Sequence, residues 1–147
     1  MATIADAKGR KPFVPGCWTD REIAAAKVND LDIKMDVGAL RCRSVDVHIE
    51  QQFTAFKRVT ASVIAEAGDV VQAHFGGNPL LYDHYAIKVA NKYGAGRPDE
   101  TCDQVAALIK AGIRQGSTFD GLAGVAAEAN INPIVDGEPC RRVVAQP

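Results

Sequence analysis

Residues 46–75, DVHIEQQFTAFKRVTASVIAEAGDVVQAHF, run without a proline and with a single glycine, Gly68. Ile49, Phe53, Phe56, Val63, Val70 and Phe75, with Val59, Ala67 and Val71 beside them, recur at spacings of three, four and seven. That period belongs to an amphipathic helix with one face turned to a core. At about 1.5 Å per residue it would be roughly 40 Å long, the full length of a domain of this size. Shorter helices before and after it then have one obvious surface to cover.

Working toward the N-terminus, Thr19-Asp20-Arg21-Glu22 forms a capping box and predicts a helix start. Ala24, Val28, Leu31, Met35, Gly38 and Cys42 make one apolar stripe, and Ile23, Ala26, Ile33, Val37 and Leu40 a second on the opposite side. A helix with two apolar faces lies between neighbours or between subunits. Leu31-Asp32-Ile33-Lys34-Met35-Asp36-Val37 also alternates strictly and would serve as a half-buried strand. The alanine-rich lead and the cap favour helix. Ahead of it, residues 1–17 are polar and proline-containing, and read as an irregular arm that either packs on its own domain or reaches a neighbouring chain.

Toward the C-terminus, Ser44 to Asp46 offers a turn with Asp46 as N-cap, and the long helix stops at Gly76-Gly77. Asn78-Pro79 predicts a third helix to about Tyr93, ended by Gly94-Ala95-Gly96. A fourth is expected from Pro98-Asp99-Glu100, with Val105, Leu108, Ile109 and Ile113 inward. Ser117-Thr118-Phe119-Asp120 opens a fifth, ending at Asn130, and residues 131–147 are an extended tail. The expected fold is all-α: a compact bundle of about five helices over 18–130, stapled by two disulfides, with irregular N- and C-terminal arms.

The chain of 147 residues, 47% apolar and 24% charged, has the composition of an ordinary globular domain. No apolar run reaches the ~20 residues of a membrane helix, which argues against membrane insertion. A net charge of -1 argues against nucleic acid as a partner, because such binding needs many unopposed Lys and Arg contacts. Residues 1–11 hold no apolar signal-peptide core, so an exported protein is expected here in its mature form.

Cys17, Cys42, Cys102 and Cys140 lie far apart with no C-x-x-C pair, a pattern that excludes common zinc modules and fits two disulfides in an oxidising compartment. Four reduced, buried thiols are the competing reading. Three connectivities are open. If the helices alternate up and down, Cys42 and Cys102 share one end of the bundle. The ten residues from Ile131 to Cys140 could span about 33 Å and return to Cys17. That arrangement favours Cys42 with Cys102 and Cys17 with Cys140.

Cys17-Trp18, Leu40-Arg41-Cys42-Arg43, Tyr82-Asp83-His84-Tyr85, Ala90-Asn91-Lys92-Tyr93-Gly94-Ala95-Gly96 and Cys102-Asp103 resemble the marks of a group of small exported proteins of alphaproteobacteria. The similarity covers roughly Cys17 to Cys140. It implies a helical secreted or periplasmic protein of no assigned activity, with helix rather than strand at Leu31 to Val37. The residues before Cys17 depart from the group, which goes almost straight from signal peptide to the Cys-Trp pair.

For chemistry, His74 and His84 flank one turn and are candidate ligands for a metal or haem, but no Asp, Glu or Cys joins them at ligand spacing, and capping or surface roles outweigh that reading. Neither a metal nor another cofactor is expected. A ligand cavity between helices would draw on Phe53, Phe56 and Tyr85 with His74 or His84. The serines lack a nucleophile elbow and bridged thiols cannot act, so an enzyme is not expected. Arg41 and Arg43 suit a helix C-terminus and could pair with Asp46, Asp99 or Asp103. The leading expectation is a non-enzymatic secreted or periplasmic interaction or structural protein, a subunit of a homo-oligomer, filament or envelope complex whose partners are other protein chains. Its candidate interface is the arm with Lys8, Arg10, Lys11 and Phe13, and the Trp18 that follows it. The alternative is a small-ligand carrier.

Overall fold

The computed structural model describes residues 13–94, 101–133 and 137–140. Five helices follow in order: α1 (Asp20–Cys42), α2 (Ile49–His74), α3 (Pro79–Gly94), α4 (Cys102–Gln115) and α5 (Phe119–Glu128). Among the described residues the β-type pairing is a single isolated bridge, Trp18 with Pro139. The alternating segment from Leu31 to Val37 is therefore helix, because Leu31 and Met35 are buried a helical turn apart on one face of α1.

Local signals set most of the helix ends. Thr19 Oγ1 accepts the Glu22 amide at 3.1 Å while the Glu22 carboxylate accepts the Thr19 amide at 2.8 Å, which closes the expected capping box. Asn78 Oδ1 accepts the amides of Leu80 and Leu81 at the start of α3, and Thr118 Oγ1 accepts that of Gly121 at the start of α5. At the end of α2 the Gly77 amide bonds Gln72 O and the Gly76 amide bonds Ala73 O, both at 2.9 Å, with Gly76 at φ 66°. This is a Schellman stop, which needs a residue that tolerates the left-handed region. Asn130, at φ 55°, does the same for α5, with the Ile131 amide on Ala126 O.

One expected start is corrected. Asp46 is not the N-cap of α2; its carboxylate accepts the His48 amide at 2.9 Å, and the helix begins at Ile49 with no side-chain cap. The short side chain closes its own turn two residues on, which competes with capping. Helix α4 starts at Cys102, where Thr101 and Gln104 form a second capping box at 3.2 and 2.8 Å. The expected start at residues 98–100 lies outside the described residues.

Helices α1 and α2 each touch all the others, α1 more extensively although it is the shorter, and α3 rests mainly on α1. Its first apolar stripe carries most of this for α1: Val28, Leu31, Met35 and Cys42 are fully or almost fully buried, whereas of the second stripe Ala26 is buried, Ile23, Ile33 and Val37 are half-buried and Leu40 is exposed. Two glycines let helices close up. A Cβ on Gly38 would meet Val105 of α4 at 3.1 Å, and one on Gly112 of α4 would lie 2.4 Å from the buried Phe56 ring of α2.

Both disulfides are closed in the expected pairing, Cys17–Cys140 and Cys42–Cys102, with Cα separations of 5.0 and 5.6 Å. The first is reinforced by backbone: the Trp18 amide donates to Glu138 O at 3.0 Å, and the Cys140 amide donates to Trp18 O at 2.7 Å. Ile131, expected in the tail, is buried in the core.

Candidate functional site

The capping box of α1 leads directly into the first polar cluster. The second oxygen of Glu22 lies 3.1 Å from Nδ1 of His74, which closes the last turn of α2. The imidazole stacks on the Trp18 indole at 3.6 Å between centroids and 24° between planes, with Phe75 edge-on to both rings and Tyr85 beyond Trp18 at 6.0 Å. Burial opposes ionisation of Glu22, but the Thr19 amide, His74 and the Thr19 hydroxyl outweigh it and hold this carboxyl below the ordinary glutamate value. Nε2 of His74 is shut off from solvent and has no partner among the described residues. The ring is therefore part of the packing under Trp18.

The candidate ligand residues occupy different places. His74 and Tyr85 share the Trp18 cluster, Phe53 and Phe56 stack on each other at 5.9 Å, and His84 is exposed on α3. Among the described residues no group of three His, Cys, Asp or Glu side chains is placed to hold a metal ion.

A second cluster escaped the sequence reading. Asn29 and Asp30, adjacent in the middle of α1, are 5% and 0% exposed. Two tyrosine hydroxyls reach them from opposite ends of α3: Tyr82 donates to Asn29 Oδ1 at 3.4 Å and Tyr93 to Asp30 Oδ2 at 2.8 Å. Lys92 Nζ stands 3.6 Å from Asp30 Oδ2, donates to Asn132 O, and lies with Lys34 over the Tyr93 ring. Burial pushes the Asp30 carboxyl above the ordinary aspartate range, and Tyr93, Lys92 and Lys34 offset only part of the rise. Burial likewise raises the Tyr82 hydroxyl. A raised carboxyl beside a tyrosine and two lysines has the composition of a proton-transfer site. Asp30 nevertheless lines none of the grooves described next, so its visible work is to tether α3 to α1. The sequence carried little signal for it, because Asp30 is one of four aspartates in α1, with Asp20, Asp32 and Asp36, and nothing local marks which of them is buried.

Open grooves cross the described surface. One of about 500 Å³ runs between α4 and α5, with Ala107, Leu108, Ala111, Val125 and Ala129 as walls and Lys34, Gln104 and Glu128 as its polar lining. One of about 360 Å³ lies between α1 and α2, lined by Asp36, Ala39, Leu40, Glu50, Phe53 and Thr54. A third, about 280 Å³, includes Tyr82 and Asp83 beside the Gly77 turn.

Beside the second groove the chain turns from α1 into α2, and there Leu40, Val45 and Val47 are 58%, 74% and 73% exposed. Arg41 and Arg43 flank Cys42 at the same corner, both exposed. Among the described residues neither pairs with Asp46 or Asp103, and Asp99 lies outside them. Of the candidate interface set, Trp18 is corrected: it is 0% exposed and fills its own core. A large apolar ring beside a disulfide gains more from burial than from waiting on the surface. Phe13 is half exposed and its ring lies against Gly76 of its own chain. Lys8, Arg10 and Lys11 lie outside the described residues.

No family model matches the chain, and no curated protein or solved structure matches it.

Proposed function

We propose that this chain is a non-enzymatic interaction or structural subunit that works outside the cytoplasm, periplasmic or extracellular, on other protein chains. The observation that carries the reading is the α1–α2 corner, where Leu40, Val45 and Val47 are exposed next to the Cys42–Cys102 bridge. Branched apolar side chains held on a covalently fastened corner lose little entropy when a partner covers them. Two closed disulfides fit an oxidising compartment. No helix among the described residues is long and apolar enough to cross a membrane. The test is thiol trapping and chemical crosslinking in cells that produce the protein. The expected result is an oxidised chain in the extracytoplasmic fraction, crosslinked to protein. A reduced chain in the cytosol overturns the compartment, and an oxidised chain with no crosslinked product overturns the interaction.

The groove between α4 and α5 supports a second reading, a carrier of small apolar molecules. Its walls are largely aliphatic, with Lys34, Gln104 and Glu128 as the polar lining, so the charges offset and the apolar surface carries the reading. Native mass spectrometry of protein from its source distinguishes the two, because a carrier retains a small molecule of defined mass.

A further inference from the structure

The corner described above has a charge pattern that selects its own kind. Asp36, Leu40 and Arg43 are spaced four and three apart and are all exposed, and Arg43 keeps helical dihedrals (φ -60°, ψ -29°), so the three share one face of α1. No ion pair engages Asp36 or Arg43 among the described residues. The point midway between Asp36 and Arg43 falls between Ala39 and Leu40. An antiparallel copy of the same helix, related by a two-fold axis through that point, therefore sets Leu40 beside Leu40 and each Asp36 opposite an Arg43. Self-complementarity of this kind is the requirement of an isologous interface.

We infer that the last two turns of α1 and the α1–α2 corner are the contact surface of a two-fold dimer of this chain. The inference rests on the reading of the protein as an interaction subunit and names its partner as a second copy. Helix axes packed 8–10 Å apart let Asp and Arg side chains meet across the seam. The groove between Leu40 and Phe53, about 360 Å³, gives the partner's branched side chains a place to enter. Exposed ion pairs contribute little affinity, so the apolar contact carries the binding while the charges fix register. Two short helical faces and a turn cover less than the ~1,200 Å² of small stable complexes, so the dimer is weak, with Kd on the order of 100 µM.

Sedimentation of the oxidised full chain from about 10 µM to 1 mM reads this directly. The wild type is expected to pass from monomer to dimer. Leu40→Asp, at an exposed position that leaves the fold intact by circular dichroism, weakens association roughly tenfold or more. Asp36→Arg and Arg43→Asp each weaken it through like charges, and the double swap Asp36→Arg with Arg43→Asp restores it. A monomer at every concentration, or a dimer indifferent to Leu40→Asp and to the charge swaps, overturns the inference. Either result leaves the crosslinking test of the interaction reading to stand on its own outcome.

Discussion

Asp30 carries a carboxyl into a place that water does not reach, and its ionisation works against folding. Its native pKa is raised by burial, so the folded state holds the proton more tightly than the unfolded chain. Stability from this group is complete below the unfolded carboxyl range and is lost as pH rises through the raised native value. Asp30→Asn keeps an acceptor for the Tyr93 hydroxyl and removes the charge. The difference in melting temperature, wild type minus variant, is expected to fall as pH rises from about 4 toward neutrality. The opposite slope would mean that Lys92 and Lys34 dominate. Glu22 has the reverse sign: its pKa is lowered, so its contribution is present at neutral pH and lost on acidification. Trp18 is the other decisive residue. Trp18→Ala should cost about 3–5 kcal/mol in urea unfolding, because the cavity would open against His74, Phe75 and Tyr85.

At the scale of elements, the packing of α4 on α2 turns on Gly112. An interior helical glycine replaced by alanine ordinarily gains about 1 kcal/mol. Here the added Cβ would sit 2.4 Å from a ring carbon of the fully buried Phe56, so overpacking decides the sign. Gly112→Ala is expected to destabilise by about 1–3 kcal/mol, and Phe56→Leu in the same chain should recover part of that loss. A double-mutant cycle by chemical denaturation measures the coupling. Additive effects would show that the two helices do not meet there. The starts of α1, α3 and α5 were legible because Thr19, Asn78 and Thr118 act within one turn of themselves. Residue Asp46 misled for the same local reason, since its side chain had a nearer amide to satisfy.

For the whole molecule, the disulfides span 123 and 60 residues of sequence. A chain-entropy estimate gives about 4–5 kcal/mol for each, against about 5–15 kcal/mol for a typical domain. The pair Cys17→Ser with Cys140→Ser removes the longer closure and loosens the backbone clamp on Trp18. It should lower the melting temperature by about 10–15 °C. An unchanged melting temperature would show that the clamp holds without its bond. Part of the motif set that resembles exported proteins falls into this framework, while its Leu40, Arg41, Arg43, Asp83 and His84 are exposed. Cys17, Cys42, Cys102 and Cys140 are the staples, Trp18 and Tyr85 are core, and Tyr82 and Tyr93 tether α3.

The sequence by itself determined the helical period, four of the five helix starts to within a few residues, and a sound pairing of the cysteines, because periodicity, caps and loop reach are local or nearly local properties. Only the tertiary structure decided that α1 is the hub, that Trp18 and His74 stack inside, that Asn29 and Asp30 are buried under two tyrosines, and that Leu40, Val45 and Val47 stay outside. These depend on which faces of different helices meet. A residue's own neighbours along the chain carry no record of that.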